Sequence, residues 1–182
     1  VIEVIHVSKP MTDLPKEYKT PLQEMTYKFL SENNIPFSRV ENDEAVTMED
    51  CFEIDKALNM QTVKTLFLCN RQKTNFYLFV TAGDKPFVTK DFSHALGISR
   101  VSFASAEMLD EIIGTKVGAT TIFGVLRREA ENVRVVFDKA VCDDEWYGCS
   151  DGTTTGYMKL RTDDILNKLL PYSKHTYEVI EV

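Results

Sequence analysis

Apolar positions fall at helical spacing in PLQEMTYKFLSENNI, where Leu22, Met25, Phe29 and Leu30 share a face and Pro21 suits a first turn. Asn33-Asn34 end that helix, and PFSRVE reads as a short strand. TMEDCFEIDKALN starts with Thr47 three residues before Asp50, a capping-box pattern, with Phe52, Ile54 and Leu58 as apolar anchors. Two β-rich runs follow, TLFLCN and NFYLFVT, joined by the polar RQKT of a hairpin loop. TKDFSHALG predicts a short helix closed by Gly97, VSFAS a strand, and SAEMLDEIIG a helix capped by Ser105 with Gly114 beyond its end. GATTIFGVL reads as a glycine-punctuated strand or loop, NVRVVFDKAV as an alternating strand, and EWYGCSDGTTTG as a long turn-rich loop. YMKL is a short strand, TDDILNKLL a helix capped by Thr162 and stopped by Pro171, and TYEVIEV a last strand.

Strands and helices interleave without repeats, which predicts one α/β (mixed) domain over residues 20–182, built on a mixed, largely antiparallel sheet surrounded by helices. Residues 1–19 form an N-terminal extension in this reading. The length of 182 residues and 43% hydrophobic content suit a single core. No run approaches the roughly 18 apolar residues of a membrane span, and the start lacks the pattern of a signal peptide. A soluble, cytoplasmic protein is expected, with no membrane partner and an open oligomeric state.

Four cysteines lack C-x-x-C spacing and three histidines lie far apart, so neither a metal nor another cofactor is expected. Cys69, inside a strand-like run, reads as core filler. Dinucleotide, Walker A and G-x-S-x-G motifs are absent. Net charge is −7, against a general nucleic-acid binder, but its distribution is uneven. Residues 61–128 carry nine basic and five acidic side chains, whereas both flanks are acidic. A polyanion is welcome only in that middle third.

Within it, Lys64 stands directly before the apolar Leu66-Phe67-Leu68-Cys69. Burying an unpaired ammonium is costly, so Lys64 either marks where a strand leaves water or is delivered to an anionic ligand. Gly114 and Gly118 bracket TKV, and glycines there let backbone N–H groups approach a ligand. A helix C-cap is the simpler reading of Gly114.

Three ordered segments carry a resemblance: VKTLFLCNRQKTNFYLFVTAGDK, SRVSFASAEMLDEIIGTKVGATTIFGVL and DGTTTGYMKLRTDDILNKLL. Together they resemble the YbaK/ProX (prolyl-tRNA editing domain) family, in particular its freestanding ProX/PrdX-like aminoacyl-tRNA deacylases. The resemblance implies a YbaK-like fold and metal-independent hydrolysis of the ester of mischarged tRNA, Ala-tRNA(Pro) first, with cysteinyl and seryl esters next. It makes Lys64 the signature lysine, set to bind the phosphate beside the terminal adenosine and to offset charge on the ester carbonyl. It places Thr65, Gly118, Ala119, Thr121, Thr154 and Thr155 about the acyl group. Arg71, Lys73, Lys85, Arg100 and Lys116 become candidates for tRNA phosphates, and Phe76, Tyr77 and Phe79 are weighed as stacking or core aromatics. Implied partners are the tRNA acceptor end, that of tRNA(Pro) foremost, and a prolyl-tRNA synthetase.

The chain departs from the family pattern at Thr65, where Asn is common, and at Val117 and Ile122, where prolines are usual. GCSDGTTTG stands in place of a His-Pro pair and an Asn-Thr step. These departures bear on amino-acid specificity more than on fold. They also keep an alternative open: a non-catalytic binding module for aminoacyl-tRNA or an amino acid.

Overall fold

The computed structural model describes residues 4–182. Helix α1 (Pro21–Glu32) starts where the Thr20 hydroxyl accepts from the Gln23 amide, 3.0 Å away, and ends at Asn33, followed by Asn34 at φ 52°. Strand β1 (Ser38–Glu41) follows, then α2 (Phe52–Leu58). Ahead of α2 the Thr47 hydroxyl accepts from the Asp50 amide while the Asp50 carboxylate accepts from the amides of Val46 and Thr47. Ile54 and Leu58 are buried, but Phe52 is not the anchor its type suggests: two residues before Ile54, about 200° around the helix, it faces water.

β2 (Lys64–Asn70) and β3 (Phe76–Thr81) form the expected antiparallel hairpin. They continue into a five-stranded sheet of order β4-β2-β3-β5-β8, where β4 is Val101–Phe103, β5 Arg134–Asp138 and β8 Tyr177–Ile180. β4 joins β2 antiparallel, whereas β5 and β8 run parallel to their neighbours. A second, antiparallel sheet has the order β1-β7-β6, with β6 at Trp146–Ser150 and β7 at Gly156–Arg161. The segment WYGCS, expected as loop, is therefore β6; its pairing with β7 overrides a turn-rich composition.

α3 (Thr89–Leu96) closes on Gly97 at φ 68°. α4 (Ala106–Met108) is capped by Ser105 and runs on as a π-helical turn, Leu109–Ile113. The strand-or-loop GATTIFGVL resolves as a 3-10 turn, Ile122–Leu126. After β5 comes α5 (Lys139–Asp143), and after β7 comes α6 (Thr162–Asp164), a π turn (Ile165–Leu169) and α7 (Leu170–Tyr172). Two boundary expectations fail there. Arg161 holds the cap position, and the Thr162 hydroxyl is buried without a partner among the described residues. Pro171 lies inside the last turn, in the first positions of α7, where a missing N–H is tolerated.

β3 buries both faces, as its unbroken apolar run requires. Leu78 and Val80 join α1, β6 and the C-terminal helical segment in the main core; Tyr77 and Phe79 join Phe92 of α3 on the other face. Tyr77 and Phe79 are thus core, and Phe76 stacks on Phe67 at 5.5 Å. The first three positions of the expected extension lie outside the described residues; beyond them, Val7 and Met11 bridge to Asn42 and Arg39 along β1. Among the described residues no helix is long and apolar enough to cross a membrane.

Candidate functional site

Besides packing in the main core, the two sheets are tied by backbone at the segment leading into β2. Thr62 bridges in parallel to Gly148 of β6, and the Val63 amide donates to the Gly148 carbonyl at 2.8 Å. Gly148 permits this approach: a Cβ there would lie 2.9 Å from the Gln61 carbonyl oxygen and 2.6 Å from the Met60 sulfur. Further along β2, the Ala104 amide donates to the Phe67 carbonyl at 3.0 Å, and β4 pairs from Leu68 onward. Backbone groups alternate sides along an antiparallel strand. The Asn70 amide bonds back across the hairpin to Asn75, so even-numbered residues of β2 serve β3 and odd-numbered ones serve the other edge. Val63 meets β6 and Phe67 meets the end of β4. Thr65, between them, faces a gap that no described strand covers.

That gap opens on a cavity of about 390 Å³. Its walls come from Val46–Met48 ahead of α2, from Thr62–Phe67, from Phe103 and Ala104, and from the glycine loop and the end of β6. Lys64 is the one charged residue among the described residues lining it, and no carboxylate lines it. The half-buried Lys64 ammonium donates to the Lys85 carbonyl at 2.6 Å, which leaves two of its three N–H groups free of described protein partners. Lys85 itself is held in a turn by its amide bond to the Ala82 carbonyl.

The glycine loop presses against the opposite segment. Gly118 lies in the wall at φ 91°, and a Cβ on it would come 3.1 Å from Val46. Ala119 and Thr121 are buried outside the wall. The Thr121 hydroxyl donates to the Ser150 carbonyl at 2.8 Å and so ties the loop to β6, while Thr120 takes the lining position.

Two thiols line the cavity, Cys51 and Cys149. Burial raises both above the usual thiol range, most for Cys149, so they remain protonated and weakly nucleophilic near neutral pH. The Tyr157 phenol, raised by burial too, donates to the Ala45 carbonyl at 3.2 Å. None of these groups is an acid–base catalyst near pH 7. What the cavity offers a ligand is a cation, an open strand edge, short hydroxyls and apolar walls.

Several sequence-derived site residues stand elsewhere. The Thr155 hydroxyl accepts from the Lys19 ammonium at 2.6 Å in a second cavity, and the Thr154 carbonyl accepts from the Ala45 amide; neither residue lines the first cavity. The cause is the tight turn after Ser150, where Gly152 at φ 95° swings the threonines away. Lys85 is not a free phosphate ligand: its ammonium pairs with buried Asp138 at 2.6 Å and with the Val182 carbonyl. Arg71 and Lys73 sit at the hairpin turn, with Arg100 beside them ahead of β4. That is the far end of β2, about 20 Å from Lys64 at the rise of a strand. Lys116 alone of the five is exposed at the cavity lip, next to Val117. Phe103, Thr120, Cys149 and Ser150 were not foreseen. Only Phe103 carried a local signal, an aromatic closing a strand of three residues.

Residues 42–168 match the aminoacyl-tRNA editing domain. The prolyl-tRNA editing protein ProX of Acetoanaerobium sticklandii is 29% identical over 153 residues, spanning 84% of this chain and 93% of its own. A crystal structure described as a candidate trans-editing enzyme for prolyl tRNA synthetase superposes with a TM-score of 0.64 at 14% identity, covering 91% of this chain and 99% of that one. The crystal structure of the hypothetical protein APE2540 gives 0.64 at 16%, covering 85% and 97%. These structural likenesses speak to the fold alone. The domain match takes in the whole cavity wall, from Val46 to Tyr157, and this chain belongs to the aminoacyl-tRNA editing domain family.

Proposed function

We propose that this protein is a trans-acting deacylase that hydrolyses the ester of mischarged aminoacyl-tRNA, with Ala-tRNA(Pro) as its preferred substrate. One observation carries the reading: Lys64 and the unpaired edge of Thr65 line one cavity whose described wall holds no carboxylate. The 3′ end of a tRNA is anionic, and an acidic wall would repel it. Water adding to the ester carbonyl carbon, with loss of a proton that later passes to the ribose oxygen, gives a tetrahedral oxyanion. The bond from that carbon to the ribose oxygen then breaks, and the ribose oxygen takes up a proton. A cation and a fixed backbone N–H stabilise the oxyanion as it forms. Membership of the family supports metal-independent catalysis in which the terminal ribose hydroxyl assists; the described residues of the wall include no histidine or carboxylate base.

Small acyl groups with neutral side chains suit the walls. Thr65 and Thr120 provide short hydroxyls, a side-chain carboxylate would meet only Lys64, and a side-chain ammonium would meet no carboxylate in the described wall. The name of the ProX relative favours tRNA(Pro) as the carrier and a prolyl-tRNA synthetase as the enzyme whose errors are cleared.

The test is a deacylation panel of Ala-tRNA(Pro), Cys-tRNA(Pro) and a seryl-tRNA with the wild type and Lys64→Ala. Turnover of the alanyl ester that drops sharply in Lys64→Ala is the expected result. Tight binding of every substrate without turnover would make the protein a binding module instead, and turnover indifferent to Lys64→Ala would remove the role given to that amine.

A further inference from the structure

Three large apolar side chains in the wall of the Lys64 cavity, Val46, Phe103 and Val117, are 50%, 59% and 68% exposed. Apolar surface left open at a concave mouth marks where a ligand rests. Phe103 ends β4 directly opposite Leu68, so its side chain lies on the face of β2 that also carries Leu66 and Lys64. Phe87 meets its ring at 5.7 Å with the planes 72° apart, and Phe87 in turn packs on Phe79 and Phe92. The ring is therefore braced from one side by the core while more than half of its surface stays open.

From this placement we infer that Phe103 is a stacking platform for the purine base of the terminal nucleotide, with Val117 as a second apolar contact. This deepens the proposed function and rests on it. Four residues of β2 separate the Leu68 position opposite Phe103 from Lys64, about 13 Å at the rise of a strand. A nucleotide with its base on Phe103 spans that distance toward Lys64 with its phosphate and acyl ester. The charge pattern selects the same ligand: the described wall holds Lys64 and no acid, and exposed Lys116 adjoins Val117. An apolar peptide would gain nothing from that cation. A base joined to a phosphate uses both features, because every base has a π-face and every nucleotide an anion.

The experiment compares two probes: 5′-phosphoadenosine bearing alanine in a non-hydrolysable 3′-amide, and the same molecule with no base. Each is titrated calorimetrically into the wild type, Phe103→Ala, Phe103→Leu and Phe103→Trp, with thermal unfolding as the check on folding. Phe103→Ala is expected to bind the adenosine probe about ten- to a hundred-fold more weakly. Phe103→Leu, which keeps the contact with Phe87 but has no ring, is expected to fall similarly, and Phe103→Trp to restore affinity. The preference of the wild type for the adenosine probe over the base-free one is expected to vanish in Phe103→Ala and Phe103→Leu. Equal affinity of the wild type for both probes, or adenosine affinity unchanged in both of those variants, would overturn the inference. Because the amide is not hydrolysed, the outcome is separate from the deacylase reading. A wild type that stacks the base yet cleaves no ester sinks the function alone, and one that cleaves esters without a Phe103 effect sinks the platform alone.

Discussion

Two cavities of nearly equal size take their walls from the same stretch of chain. One, of about 390 Å³, holds Ser150 beside Lys64; the other, of about 380 Å³, holds Asp151, Thr155 and Gly156. The second is far richer in charge, and its buried groups bond one another, although Lys19, like Lys64, makes a single bond. Asp151 accepts from Gln23, Tyr27 and Thr153, Arg39 pairs with Asp13 and Glu41, and Lys19 reaches Thr155. In the first cavity a single cation has one bond, to a carbonyl, and a strand edge lies open. The open backbone edge of Thr65, not volume or charge count, distinguishes the first cavity from the second.

The sharpest way to break this contrast is Lys64→Ala, expected to lower kcat for the mischarged ester by about a hundred- to a thousand-fold. Lys19→Ala in the second cavity is expected to stay within a factor of two in the same deacylation assay. A large loss there would erase the distinction between the cavities.

Next in size is Asp151→Ala, which strands the buried Tyr27 hydroxyl and the Gln23 amide. Chemical denaturation is expected to show a loss of about 3 kcal/mol. The conservative Asp151→Asn addresses sign. Burial pushes the Asp151 carboxyl above the usual carboxylate range, despite bonds from Gln23, Thr153 and Tyr27 that oppose the shift. The folded state then holds that proton more tightly than the unfolded one. The contribution of this group to stability is greatest in acid and declines as pH rises from the unfolded pKa through the raised folded one. Thermal midpoints of the wild type relative to Asp151→Asn are expected to fall over that window, and a parallel pair of curves would refute it.

Gly118→Ala probes the fit of the glycine loop. A side chain at φ 91° within 3.1 Å of Val46 is expected to cost about 1–2 kcal/mol and to reduce turnover by narrowing the mouth, read by urea unfolding and by kcat/KM. The smallest effect belongs to Thr155→Val. It removes an exposed acceptor for Lys19 and is expected to change stability by less than about 0.5 kcal/mol and deacylation not at all.

Much of this was legible in the chain because it is local. Pro21, Ser105, Gly97 and the Thr47–Asp50 pair act within a few residues of themselves, and each behaves as its neighbours dictate. The β2–β3 hairpin followed from two apolar runs and a polar turn. The misreadings that bear on the site are non-local. WYGCS looks like a loop until β7 lies beside it, Lys85 looks free until Asp138 arrives from fifty-three residues away, and Thr154 and Thr155 look available until the Gly152 turn points them elsewhere.

By itself, the sequence determined the ends of α1, α3 and α4 with its π turn, the hairpin, the positive middle third and the lysine at the mouth of a strand, since propensity, capping and charge are carried by neighbouring residues. Tertiary structure decided that β4 stops short and that β6 crosses at Gly148, and so that Thr65 is left uncovered between them. An open strand edge is a property of which strands fail to meet, and no residue of β2 encodes the reach of its partners.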